Sequence, residues 1–210
     1  MLFRSNPDPS GGLANYVASL VLSGLAAQDD PALAGAVGTV REWIVRNQWD
    51  QAEGIGPRTD WFGGAGYGSH GRPDMSNTQL MLDALHDAGV SPDDPAVQRA
   101  LVFVTRAQNI KGNNASWAMH GNADGGFVYT PANGGESFGS DAAGEGRYGE
   151  KMPEGTRALR SYGSMTYAGY KSLLFAGLSR NDPRVQAALQ WITTHYTLGE
   201  NPGLGQQGLY

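Results

Sequence analysis

Apolar and small residues recur along the chain in blocks that superpose on one another. One block runs from Ser19-Leu20 to Ser23-Gly24-Leu25, a second from Ala84-Leu85 to Ala88-Gly89-Val90, and a third from Ser172-Leu173 to Ala176-Gly177-Leu178. Their common signature is small-Leu-x-x-small-Gly-apolar, and self-similarity of this kind marks a repeat architecture. After each Gly comes an Asp-Pro step, at Asp30-Pro31, Asp94-Pro95 and Asp182-Pro183. A second set of blocks follows: Val37, Val40, Trp43-Ile44, then Val97, Ala100, Phe103-Val104, then Val185, Ala188, Trp191-Ile192.

Within the second set, Val97, Ala100, Leu101, Val104 and Val185, Ala188, Leu189, Ile192 fall at i, i+3, i+4 and i+7. That is the apolar stripe of an amphipathic helix. Asp before Pro supplies a helix start, because the carboxylate accepts an orphan N–H while Pro occupies the first turn without losing a bond. The Gly ending each first block is placed to close a helix in the left-handed conformation, so each unit predicts an antiparallel helical hairpin. The first helices, such as Asn77 to Ala88 and Met165 to Ala176, are small or apolar around much of their circumference and predict an inner layer. The second helices carry Arg41, Glu42, Gln98, Arg99, Gln186 and Gln190 on their other face and predict an outer layer. Glycine-rich loops ending in an aromatic lead onward from the outer helices: Gly63-Gly64-Ala65-Gly66-Tyr67, Gly125-Gly126-Phe127-Val128-Tyr129, and Gly205 to Gly208-Leu209-Tyr210. The second unit carries an insertion, at about 111–160, rich in Gly, Asn and Ser, and a loop of that length is either functional or mobile.

Composition narrows the function classes. The 31 glycines among 210 residues are about twice ordinary usage, but a hydrophobic share of 40 % argues against a disordered linker. Net charge -5 without a Lys/Arg cluster removes the electrostatic basis for nucleic-acid binding. The absence of cysteine excludes disulfides, thiolate nucleophiles and any zinc site that uses Cys. The apolar stretch Val17 to Leu25 is too short to span a bilayer, and no charged segment with a cleavage site frames it as a signal. Leu2-Phe3-Arg4-Ser5 reads like a translated adapter, so residues 1–14 are expected to be a non-native or flexible start and 15–210 the repeat domain. Gly63-Gly64-Ala65-Gly66 lacks the Lys-Ser/Thr and the strand-to-helix context of a phosphate cradle, which argues against a nucleotide cofactor.

Ala107-Gln108-Asn109 with Asp124-Gly125-Gly126-Phe127, and more loosely Arg46-Asn47-Gln48-Trp49-Asp50 with Gly63-Gly64, resembles the QW-type repeat of squalene-hopene cyclases and the related repeat of protein prenyltransferase β-subunits. Resemblance to the terpenoid cyclase and protein prenyltransferase superfamily implies an all-α fold, an α/α toroid. Here it would be partial, with about three hairpins in inner and outer layers. It also implies an apolar or isoprenoid ligand in a central cavity. The chain departs from the family in lacking an Asp-x-Asp-Asp acid, since Asp29-Asp30 and Asp93-Asp94 precede prolines. Lacking cysteine, it also cannot reproduce the Asp, Cys and His zinc set of the prenyltransferases. Any enzyme built on it is therefore expected to be a squalene-cyclase-like isomerase or transferase without that acid, with no metal and no cofactor.

The richest polar run is Tyr67-Gly68-Ser69-His70-Gly71-Arg72-Pro73-Asp74-Met75-Ser76-Asn77, where a loop feeds an inner helix. His70 is a candidate acid or base and Asp74 its partner or a proton acceptor. Arg72 is a candidate anion binder, and Tyr67 and Asn77 are candidate ligand contacts. The plainer reading is that Asp74 or Ser76 caps the helix. The matching run before the third inner helix offers Tyr162, Ser164 and Tyr167 as ligand contacts, or else as core. Trp117, with His120 and Asp124, is a candidate lid in the insertion. His86 and His195 are explained by their places near helix ends. Two other readings stand beside the isoprenoid one. The first is a non-catalytic binding or scaffold repeat. The second is a carbohydrate-active toroid, which needs two carboxylates about 5 to 10 Å apart from among Asp74, Asp124 and Glu136. Open ends of such a repeat are also expected to favour self-association.

Overall fold

The computed structural model describes residues 12–68, 71–112, 123–138 and 159–204. Among these residues lie six α-helices, each 13 residues long: α1 (Ala14–Ala26), α2 (Ala34–Arg46), α3 (Met75–Asp87), α4 (Pro95–Ala107), α5 (Gly163–Phe175) and α6 (Pro183–His195). The chain is thus mostly helical. None of these helices is long and apolar enough to cross a membrane. Extended structure among the described residues is slight: Ala65–Gly66 pairs antiparallel with Pro73–Asp74, and isolated bridges join Gln108 to Phe127 and Thr130 to Glu136.

The helices pack in sequence order as hairpins. α1 lies against α2, α3 against α4 and α5 against α6, while α3 stands between α1 and α5. The core is the shared interior, with Leu22, Ile44, Met81, Leu85, Phe103, Phe127 and Leu173 among its fully buried members. Asp94 and Asp182 each cap the helix that their proline opens, accepting from Ala96 N and Arg184 N. Asp30 instead caps a single 3-10 turn, Pro31–Leu33, which runs into α2.

Two repeats of one clamp join the units. Gln48, just past the end of α2, donates to Gly63 O and to Ala96 O in the first turn of α4, both at 2.9 Å. Gln108, just past α4, donates to Gly125 O at 2.9 Å and to Arg184 O in the first turn of α6 at 2.8 Å. The loop each glutamine holds is closed by a matched pair of backbone bonds. Trp49 and Gly63–Gly64 exchange one pair, and Asn109 and Gly125–Gly126 the other. Gly63 and Gly125 have φ of 83° and 84°, and a β-carbon on either would collide with backbone of the next outer helix, at Arg99 and Ala187 respectively. These two positions need glycine for both conformation and space. The next residue pair repeats too: Ala65 N donates to Thr78 Oγ1 at 3.0 Å and Phe127 N to Thr166 Oγ1 at 3.1 Å, tying each loop to the following inner helix.

The first repeat differs from its expected register. Gly89 and Gly177 do follow their helices in the left-handed conformation, with φ of 71° and 88°. Gly24, in contrast, lies inside α1, which continues to Ala26. Leu85 and Leu173 are buried as predicted, but Leu20 is 63 % exposed and Leu22 occupies the core instead. The buried stripe Ala14, Asn15, Ala18, Ser19, Leu22 matches Asn77, Thr78, Met81, Leu82, Leu85 of α3 at the same relative spacing. Leu13, Val17 and Leu20 therefore correspond to Ser76, Leu80 and Asp83. In the outer layer, Leu189 of the predicted apolar stripe is also exposed, whereas Val185 and Ala188 are buried.

Candidate ligand-binding site

The polar run singled out in the sequence assembles at the N-terminal ends of α1 and α3. Asp74 is only 1 % exposed and caps α3, accepting from Asn77 N at 2.8 Å and from Asn77 Nδ2 at 3.2 and 3.0 Å on its two oxygens. Asn15 of α1 donates to Asn77 O and Oδ1 at 3.2 and 3.1 Å, so the two inner helices are locked together through buried amides. Tyr129 is an electrostatic neighbour of the Asp74 carboxyl and of Tyr67. Tyr67 stacks on Tyr16 of α1 with ring centroids 5.4 Å apart and hydroxyls 3.5 Å apart, and the Tyr16 hydroxyl meets Ser76 Oγ. Asn15, Asn77 and Asp74 form one hydrogen-bonded group at the junction, and Tyr67, Tyr16 and Ser76 a second beside it.

Burial pushes the Asp74 carboxyl up to about 6, against the pull of the Asn77 and Tyr129 bonds and the Arg72 charge. Burial and the neighbouring Asp74 charge hold the Tyr129 hydroxyl well above its ordinary range. The arrangement can keep a proton on Asp74 in mildly acidic conditions, and Tyr67 nearby is 40 % exposed.

Aromatic rings continue the junction toward α5. Tyr129 stacks on Phe138 at 4.5 Å, and Phe138 lies 6.1 Å from the Tyr162 ring at the start of α5. Leu13, at the start of α1, and Val17 and Leu20 within it are 48 %, 40 % and 63 % exposed. Their i, i+4, i+7 spacing makes one continuous apolar stripe.

The remaining predicted residues take varied places. Arg72 is paired with Glu136, so its guanidinium already has a carboxylate partner. Ser164 is tied at the start of α5 by Asn201, which accepts from Ser164 N at 3.0 Å and donates to its hydroxyl at 2.7 Å. Tyr162 is fully buried and Tyr167 is exposed on α5. Asp124 accepts from Gly126 N, Ser161 Oγ and Trp191 Nε1. His86 and His195 lie in the last turns of α3 and α6. His70, Trp117, His120 and the third glycine-rich loop lie outside the described residues. Among the described residues no group of three or more His, Asp or Glu side chains is set to hold a metal ion.

Sequence reasoning missed Asn15, Tyr16, Tyr129 and Phe138. Asn15 carried a readable signal, an amide in an otherwise apolar first helix. Tyr16 lies on α1 and is brought to Tyr67 and Ser76 only by tertiary packing, while Tyr129 and Phe138 are placed by loops that leave no local periodicity to read. A separate cleft of about 510 Å3 lies beside the end of α6, lined by Asp124, Arg160, Trp191, His195 and Glu200, with the Trp191 and His195 rings stacked 4.3 Å apart.

Comparison with known proteins adds no relative: no family model, no curated protein and no solved structure matches the chain significantly.

Proposed function

We propose that the chain is a segment of an α/α toroid of the terpenoid cyclase and protein prenyltransferase kind, and that it binds an apolar, isoprenoid-type ligand against its inner helices. The toroid reading is supported by the repeated glutamine clamp, which sets each outer helix against the next in one register. The ligand reading rests chiefly on one observation. The Tyr16–Tyr67 stack shares α1 with the exposed Leu13–Val17–Leu20 stripe, and a second ring cluster, Tyr129–Phe138–Tyr162, stands at the start of α5. Exposed apolar residues in a continuous patch mark binding surfaces more often than scattered ones do, and aromatic faces suit both alkene and cationic ligand groups. The proposed acid of this site is Asp74, whose carboxyl burial pushes up to about 6.

The carbohydrate reading fits less well, because it needs a second carboxylate beside Asp74 and both others are occupied: Asp124 holds three donors and Glu136 pairs with Arg72. The test is a methyl-NMR titration with squalene carried in cyclodextrin. The reading expects the methyls of Leu13, Val17, Leu20 and Leu80 to move together. Shifts confined to Leu189 and Leu198 of the α6 region, or none at all, would reject it.

A further inference from the structure

The cleft of about 510 Å3 beside the last turn of α6 shares no lining residue with the apolar stripe of α1. Its volume lies in the range of small-molecule sites, about 300–1,000 Å3. Most such sites are lined by apolar side chains, whereas Asp124, Arg160, His195, Thr197 and Glu200 give this one a polar wall. Asp124, His195, Tyr196 and Glu200 are all exposed, so a ligand in the cleft can reach them.

One buried residue sets two of these groups. Trp191, only 4 % exposed, donates from Nε1 to Asp124 Oδ2 at 3.2 Å, and its carbonyl oxygen lies 2.8 Å from His195 Nδ1. The Trp191 and His195 rings stack with centroids 4.3 Å apart, which fixes the imidazole. A carbonyl oxygen only accepts, so Nδ1 carries the hydrogen and Nε2 of the neutral ring presents a lone pair. Asp124 Oδ1 already accepts from Gly126 N and Ser161 Oγ. A carboxylate has about four lone-pair sites, so Oδ2 keeps one for a ligand. Asp124, His195 and Glu200 together make an acceptor-rich face that calls for a ligand with several donors.

We propose that this cleft binds a neutral saccharide. Each sugar hydroxyl donates and accepts through one atom, so hydroxyls can give hydrogens to the Asp124, His195 and Glu200 acceptors and accept one from the Thr197 hydroxyl. Tyr196, 65 % exposed, offers a ring face to the C–H side of a pyranose. The mixed signs of the wall select against charged ligands, because like charges brought together are costly. A polyamine meets Arg160, and a polyanion meets Asp124 and Glu200. The cleft serves recognition rather than hydrolysis, since Asp124 already holds three donors. The inference is independent of the apolar-ligand reading, which concerns α1 and α3.

The experiment titrates the isotope-labelled full chain with neutral trisaccharides built from glucose, galactose, mannose and xylose, with a glucosamine trimer as the cationic probe and a galacturonate trimer as the anionic one. At least one neutral sugar is expected to move the Trp191 indole signal and the His195 and Tyr196 amides together, with a Kd at or below about 1 mM. It should bind at least about ten-fold more tightly than either charged trimer. Y196A and E200Q alter exposed side chains, so each should leave the melting temperature unchanged and weaken that sugar at least about five-fold. Failure of every neutral sugar to bind, a charged trimer that binds as tightly, or full binding by either variant overturns the proposal.

Discussion

Asp74 holds its proton more tightly in the folded chain than in the unfolded one, because burial disfavours the carboxylate. Between the ordinary carboxylate range and about 6 the native state therefore binds more protons than the unfolded state. Stability is greatest below that window and falls as pH rises through it. At about 1.4 kcal/mol per pH unit the full swing is on the order of 3 kcal/mol. Asp83, also raised by burial, adds a slope of the same sign. Urea unfolding between pH 4.5 and 7.5 is thus expected to show a smaller decline with pH in D74N than in the unaltered chain. An unchanged slope would mean that Asp74 is solvated in the native state. A second residue-scale expectation separates conformation from crowding at glycine. Gly54 has φ of 77° with nothing close to its missing β-carbon, so G54A should cost about 1 kcal/mol. Gly63 and Gly125 add a backbone collision, so G63A and G125A should each cost more than about 2 kcal/mol in the same assay.

At the scale of elements, the outer-helix clamp is the device that converts sequence repeats into a stack. Q108A removes the donor to Gly125 O and Arg184 O, which at about 1–3 kcal/mol per orphaned acceptor predicts a loss of about 2–4 kcal/mol. Hydrogen exchange should accelerate at Gly125 and Val128 and in the first turn of α6, with α1 and α2 little affected. Equal acceleration throughout would show that the clamp is not local. The sequence made the hairpins legible because each signal was local. Asp-Pro announced the starts of α4 and α6, Gly89 and Gly177 the ends of α3 and α5, and the i, i+3, i+4, i+7 stripe the buried side of α4. The first copy was misread because its small residues permit several registers, and only packing decides that Leu22 enters the core while Leu20 stays out. Of the candidate site, the stretch from Tyr67 to Asn77 was visible as a polar run. Its partners Asn15, Tyr16 and Tyr129 lie 51 or more residues from the groups they touch in the first two cases, and no pattern within a segment encodes such a meeting.

For the whole molecule, the proposed stack accounts for apolar residues left at the surface, Leu13, Val17 and Leu20 among them. Repeat stability is a sum of unit and neighbour terms, so a side chain there that touches no neighbouring unit should matter for ligand and not for folding. L20K is therefore expected to change unfolding free energy by less than about 0.5 kcal/mol, as for ordinary surface positions, and to weaken squalene binding at least about ten-fold by placing a charge in an apolar contact. A large stability loss would place Leu20 in the core, and unaltered binding would remove α1 from the ligand face.

All of this depends on hairpins that lie side by side in sequence order and in one register. Side-chain amide NOEs measure that directly: Gln48 Nε2 protons should show contacts to Ala96, and Gln108 Nε2 protons to Arg184, both in the first turn of the following outer helix. Observing the two sets together is the predicted result. Glutamine amides that exchange freely with solvent and show no contact beyond their own unit would contradict the stack.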